Sequence, residues 1–196
     1  MRDSTTGDAH LVLDLALTVR HDGDGGVTDD LTGPAALTAW VHAHPDAFPT
    51  ARRFVADEDH LTAVRDLRTL FAHAVRPGRP SPADAARLLP LPEALRRLND
   101  AAARTPTVPV LEWPDGHGPV ARRRPVPDRG HDLTAVLAQG AIAFLAGPDR
   151  EHLRACHAPR CVRYFLKEHP RQEWCKPSCG NRARVARHHE RHRRTG

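Results

Sequence analysis

Four cysteines are the residues best suited to chemistry in this 196-residue chain, and all of them lie between positions 156 and 179. They run Cys156, four residues, Cys161, thirteen residues, Cys175, three residues, Cys179. Two close pairs at this separation let each pair sit on a tight turn while the intervening segment folds back, bringing four thiolates to the corners of a tetrahedron. Zinc suits such a site. Thiolates give up their protons to the metal, and a closed shell of four sulfurs leaves no position for water, so one structural, non-catalytic Zn2+ is expected. Two disulfides, four unlinked thiols, or a shell of three thiolates and one imidazole from His157 or His169, are the alternative uses of these residues.

Energetics favours the metal. The large apolar side chains of this segment are mainly Val162, Tyr164, Phe165, Leu166 and Trp174. A domain below roughly 40 residues with so few seldom folds without a staple. Structural zinc supplies apparent binding free energies of about 10–16 kcal/mol, against about 3 kcal/mol for a disulfide closing a loop of this size.

After Cys179 the chain continues Gly180, Asn181, Arg182, Ala183, Arg184, Val185, Ala186, Arg187, His188, His189, Glu190, Arg191, His192, Arg193, Arg194. Asn181 is expected to cap a helix that presents Arg184, Arg187, His188 and Arg191 on one face at i, i+3, i+4 and i+7. Such a cationic ridge, anchored by zinc at its N-terminal end, could lie along phosphates or enter a major groove. The expected nucleic-acid contacts are Arg182, Arg184, Arg187, His188, Arg191, Arg193 and Arg194. Arg182, beside the metal shell, has the alternative of bonding back to the finger. A merely solvated C-terminal helix is the plainer reading of the same charge run.

The net charge of +5 is unevenly distributed: residues 1–150 carry −3 and residues 151–196 carry +8. Composition therefore proposes two modules, 1–150 and 151–196. An apolar content of 40% and a charged content of 27% are ordinary for a globular chain and exclude collagen, coiled coil and wholesale disorder. The longest apolar stretch, Leu11 to Val19, is interrupted by Asp14 and falls short of the roughly 20 residues of a spanning helix. Asp3 and Asp8 before it make a poor signal peptide. The expectation is a soluble, cytoplasmic protein with no membrane partner, in which clustered cysteines are reduced and bind metal.

Elements that position the tail come from the first module. Leu11 to Val19 fits a strand and a helix equally, and is buried either way. A Gly/Asp-rich turn spans Asp22 to Gly26, and Thr32, Gly33 and Pro34 start a helix leading to Leu37, Trp40 and Val41. Asp57 caps a helix with the stripe Leu61, Val64, Leu67, Phe71 and Val75, stopped by Pro77 and Gly78. Ser81 and Pro82 begin another, broken near Pro90 and Pro92, before Leu95 and Leu98 resume the pattern. Val108 to Trp113 and Val120 to Val126 flank a turn at Asp115, Gly116, His117 and Gly118, the only β element expected. Asp132 caps a helix with Leu133, Val136, Leu137, Gly140, Ala141 and Phe144 at buried-face spacing, ended by Gly147 and Pro148. The fold class is thus mainly α with a small β-hairpin: a helical N-terminal domain followed by a small four-cysteine zinc finger with a basic C-terminal helix.

No catalytic constellation stands out. The chain has no Gly-rich phosphate loop, no His-Glu-x-x-His and no nucleophile elbow. His42, His44, His60 and His73 are dispersed and read as surface or hydrogen-bonded residues. Arg122, Arg123 and Arg124 read as a solvated hairpin edge. An enzyme, or a thiol redox switch at the cysteines, is the disfavoured alternative.

Trp174, Cys175, Cys179, Gly180, Asn181 and Arg182, followed by the basic run to His188, resemble the signature of the CGNR zinc finger family of bacterial transcription regulators. In that family the finger follows an N-terminal domain of the ABATE type, associated with predicted stress-induced regulators. The resemblance is specific over residues 153–194. Over residues 10–150 it rests on Leu13, Asp14 and Leu15 and on the helices Leu37 to Val41 and Leu61 to Val75. The chain departs from the pattern in placing Leu17 where members often have Asn before Thr18, and in its spacers between the two cysteine pairs and within the second pair. The resemblance implies zinc at Cys156, Cys161, Cys175 and Cys179, and DNA as the partner of the finger. The expectation is a zinc-dependent, stress-responsive DNA-binding regulator; the alternative is a zinc-stabilised protein- or RNA-interaction module. One finger offers few contacts, so a homodimer or a helper surface on the first domain is expected, with a small-molecule or protein signal acting on the N-terminal domain.

Overall fold

The computed structural model describes residues 11–22, 26–48, 51–74, 89–126 and 132–195. Val75, the stop at Pro77 and Gly78, and the helix start at Ser81 and Pro82 lie outside the described residues, as do positions 23–25 of the predicted turn. The ambiguous opening segment is helical over residues 11–16 (α1). Helix wins because its neighbours bury almost its whole circumference, leaving only Asp14 exposed, so strand alternation has no polar face to serve. The Thr18 hydroxyl closes the helix by donating to the Leu15 carbonyl at 2.7 Å.

The chain then extends into β1 (Val19–His21), antiparallel to β2 (Val27–Asp29), with Val19 opposite Asp29. Pro34 at the first position of α2 (Pro34–His42) gives up an N–H that would have had no helical partner. In α3 (Glu58–Ala74) the Asp57 carboxylate caps the first turn, accepting from the His60 N–H at 2.8 Å. Leu61, Val64, Leu67 and Phe71 are buried, as their spacing requires. α4 (Leu91–Ala103) starts one residue before Pro92, which sits in the first turn instead of breaking the helix. It buries Leu98 but leaves Leu95 exposed.

The predicted hairpin forms from β3 (Thr107–Glu112) and β4 (Val120–Pro125), and Gly116 takes the φ of 74° that its turn needs and that glycine adopts without steric cost. Its arginines are matched locally, with Glu112 accepting from Arg122 at 2.8 Å and from Arg124 at 2.7 Å. α5 (Leu133–Ala146) is capped by Asp132, which accepts from the Ala135 N–H at 3.1 Å, and it packs against α3 and α4.

Two further strand pairs correct the expectation of a single β element. They are β1–β2 and the pair β5 (Leu153–Ala155) with β6 (Tyr164–Leu166), which are antiparallel with Ala155 opposite Tyr164. Three-residue strands are too short to show alternation, and they pair only because a turn returns the chain on itself. The last element is α6 (Pro177–Thr195). The described residues thus form six helices and three small strand pairs, and none of these helices is long and apolar enough to cross a membrane.

One hydrophobic core draws on most of these elements. Phe71 of α3 is fully buried, with its ring centroid 5.6 Å from Phe144 of α5 and 6.3 Å from Tyr164 of β6. Leu153 and Ala155 of β5 belong to the same cluster, so the strand pair leading to the cysteines is built into the core of the helical part. Inside this core Arg68 of α3 is buried and donates to Thr18 Oγ1 at 2.6 Å and to Asp29 Oδ1 at 2.7 Å. Burial works to raise the pKa of Asp29, but the hydrogen bonds and charge of Arg68 outweigh it and hold the carboxyl below its usual value. A buried arginine is tolerated because its charge is paired and both terminal nitrogens donate, while its Nε is buried without a partner among the described residues.

Candidate metal centre

The turn between β5 and β6 sets the first pair of sulfurs. Cys156 follows β5 directly, and its N–H donates to the Arg163 carbonyl at 2.8 Å, extending the strand pairing around a tight knuckle. Cys161 N–H donates to the Ala158 carbonyl at 2.9 Å, and Arg160 between them adopts a positive φ of 61°. A left-handed residue there turns the chain sharply enough to point both sulfurs inward. The second pair is set by α6. Cys175 lies just before the helix and Cys179 in its first turn, with its N–H donating to the Lys176 carbonyl at 3.0 Å.

The sulfurs therefore converge from a hairpin knuckle on one side and a helix start on the other. Cys161 and Cys175 Sγ are 3.7 Å apart, Cys175 and Cys179 3.6 Å, and Cys179 and Cys161 3.8 Å. All four sulfurs, Cys156 included, lie within 4.8 Å of one another, and no disulfide joins them. A tetrahedron with zinc–sulfur bonds of about 2.3 Å has edges of about 3.8 Å, whereas a disulfide would place two sulfurs about 2.05 Å apart. The observed separations match the tetrahedron. His157 and His169 are exposed and lie outside this group, which removes the imidazole alternative.

Electrostatics agrees with the geometry. Hydrogen bonds from Cys161 and Cys175 push the Cys156 thiol down to about 3, while the same crowding of sulfurs pushes Cys175 up. Four neighbouring thiols cannot all ionise against one another, and a divalent cation at their centre is what allows all four to be thiolates. The cysteines are thus positioned to bind one metal ion, and their donor set suits Zn2+.

The surroundings fix the sulfurs in turn. Cys156, Cys161, Cys179, Ala158 and Phe165 form a small second core, with Trp174 packed on it. Gly180 makes room for that indole: a β-carbon there would come within 3.0 Å of Trp174 Cδ1. Arg182 donates from Nη2 to Cys179 Sγ at 3.1 Å, the alternative role foreseen for it. Asn181 is corrected: α6 begins at Pro177, so Asn181 lies in its second turn, and its Oδ1 accepts from Arg184 Nη1 at 3.3 Å. Proline at the start of a helix and a cysteine held by the cluster outcompete the cap expected from asparagine.

Of the predicted contact residues, Arg184, Arg187, His188, Arg191 and Arg193 are exposed along α6, and Arg194 lies in its last turn. The dispersed histidines are all tied locally: His42 to the Phe54 carbonyl at 3.1 Å, His44 to the Trp40 carbonyl at 2.7 Å, His60 to Asp57 at 2.5 Å and His73 to the Leu89 carbonyl at 2.9 Å. Sequence reasoning missed the Thr18, Asp29 and Arg68 network and the stacking of Trp174 on Gly180. The signal for the second was the glycine that directly follows Cys179.

Residues 9–148 match the model of a family described as "Putative stress-induced transcription regulator", named ABATE. The chain belongs to the ABATE family. Residues 152–192 of this ABATE member match the CGNR zinc finger, so the cysteine cluster and the first turns of α6 fall inside a finger recognised as zinc-binding. No protein of curated function matches the ABATE chain. In this ABATE chain the two matched segments meet in one core, through Tyr164, Leu153 and Phe71.

Proposed function

We propose that the chain is a cytoplasmic, stress-responsive transcription regulator that binds DNA through the zinc-anchored helix α6. In this reading residues 1–150 sense a signal or assemble the protein, residues 151–196 meet DNA, and Cys156, Cys161, Cys175 and Cys179 are the ligands of one structural zinc. The carrying observation is a contrast in how arginines are used. In the helical part most described arginines are matched to carboxylates, Arg20 to Asp30, Arg68 to Asp29, Arg97 to Asp66 and Arg122 to Glu112 among them, with Arg52, Arg53 and Arg123 the exceptions. On α6, among the described residues, Arg184, Arg187 and Arg193 pair with no carboxylate.

An exposed row of unmatched guanidinium groups on a helix fixed at one end suits a polyanion, and arginine pairs bidentately with phosphate and with guanine. Glu190 is the single acidic residue of α6, so the row meets little internal repulsion for an anionic partner. Zinc supplies rigidity, holding the first turn of α6 against the β5–β6 knuckle. Few contacts per finger favour a homodimer on a two-fold site.

Selection from a random duplex library at physiological salt, with zinc content measured in parallel, tests this reading. Enrichment of a defined sequence supports it. Binding that stays equal for every duplex, or that prefers structured RNA, transfers the helix to the interaction-module alternative.

A further inference from the structure

A cleft of about 410 Å³ opens where the end of β1 faces the zinc knuckle, apart from the exposed ridge of α6. Its cations come from three separate stretches of chain: Arg20 from β1, Arg160 and Arg163 from the knuckle, and Lys176 and Arg182 from the start of α6. Asp22 is the one carboxylate on its wall, and it accepts from the Gly26 N–H at 2.9 Å. Arg20 is held by Asp30 and Arg182 by Cys179 Sγ. Among the described residues, Arg160, Arg163 and Lys176 have no side-chain acceptor. Arg160 is also the described non-glycine residue with positive φ, so the bend that shapes the knuckle carries a cation at its apex.

Such a volume is in the range of small-molecule pockets, roughly 300–1,000 Å³. Donors arriving from three directions do not suit a planar carboxylate, which one arginine fork satisfies in its own plane. They suit a tetrahedral dianion whose oxygens point several ways. We propose that this cleft binds a small phosphorylated molecule, placing a ligand site at the junction of the helical domain and the finger. Its occupant would bridge β1 to both halves of the zinc knot, so ligand binding would stiffen the seat of α6. This inference does not depend on DNA binding, because the ligand is titrated without DNA.

The test is calorimetric titration of the full-length, zinc-loaded chain with inorganic phosphate at constant ionic strength, repeated on the double variant Arg163→Gln, Lys176→Gln. Expected are saturation at one phosphate per chain with a Kd below about 1 mM, and at least about tenfold weaker binding in the variant with zinc content unchanged. Arg160→Gln, at an exposed position, gives a second reading should the double variant fold poorly. Lack of saturation in the parent chain, or unchanged affinity in the variants, overturns the proposal. If the parent ignores phosphate while the variants lose duplex affinity, the cleft serves the DNA backbone. If it ignores phosphate while the variants lose zinc, the cations balance the sulfur knot. Either result overturns the proposal.

Discussion

Arg182 Nη2 lies 3.1 Å from Cys179 Sγ, its neighbour one turn earlier on α6. A thiolate that shares its charge with a guanidinium is a steadier metal ligand, and an arginine so engaged is less free to read a base. The residue in the middle of the family signature therefore joins the metal shell to the basic helix.

Replacing Arg182 by alanine is expected to weaken zinc retention by about 10- to 100-fold, the usual cost of losing an outer-shell partner. Competition with a chromogenic chelator measures it. Unchanged zinc affinity would mean that the sulfur contact is incidental.

Zinc removal is expected to destabilise more than the finger. Tyr164 and Leu153 lie in the core shared with Phe71 and Phe144, so loosening the knuckle frees surface on α3 and α5 as well. Calorimetry should show the main unfolding transition moving to lower temperature on chelation or in Cys161→Ser. A main transition that stays in place while only near-ultraviolet signal from Trp174 changes would show the finger to be energetically separate.

Asp29→Asn should cost about 3–5 kcal/mol, because it leaves the buried Arg68 without its carboxylate, and Arg68→Ala should cost less, because Arg65 Nε remains 3.6 Å from Asp29 Oδ2. The acid limb carries a second signature. Asp29 has a folded pKa below its ordinary 3.8, so its pairing stabilises the fold at pH values above that and is lost as pH falls through the folded value. Urea titrations across acidic pH should show this component in the parent chain and its loss in Asp29→Asn.

Along the ridge, Arg184→Ala and Arg187→Ala should each lower the slope of log binding constant against log salt by about 0.9 if each neutralises one phosphate. Duplex binding at several salt concentrations gives the slopes. An unchanged slope in both variants would remove these residues from the interface.

Legibility in the sequence followed the range of the interactions. The caps at Asp57 and Asp132, the stripe from Leu61 to Phe71 and the hairpin around Gly116 each depend on residues within a few positions of one another, and all appear as expected. The pairing of β1 with β2 and of β5 with β6 did not, because three-residue strands carry no pattern of their own. Nor did the start of α6 at Pro177, where the sulfur cluster overrides the local preference for Asn181 as a cap.

The spacing of Cys156, Cys161, Cys175 and Cys179 and the arginine run after them determined, without coordinates, that a metal would hold a cationic helix, because ligand spacing and helical period are local and covalent. Tertiary structure alone decided that Tyr164 leaves the finger for the main core, and that Arg20 meets Arg160 and Lys176 across one cleft. Those relationships join residues far apart along the chain. They exist only once burial of apolar surface has chosen which elements touch.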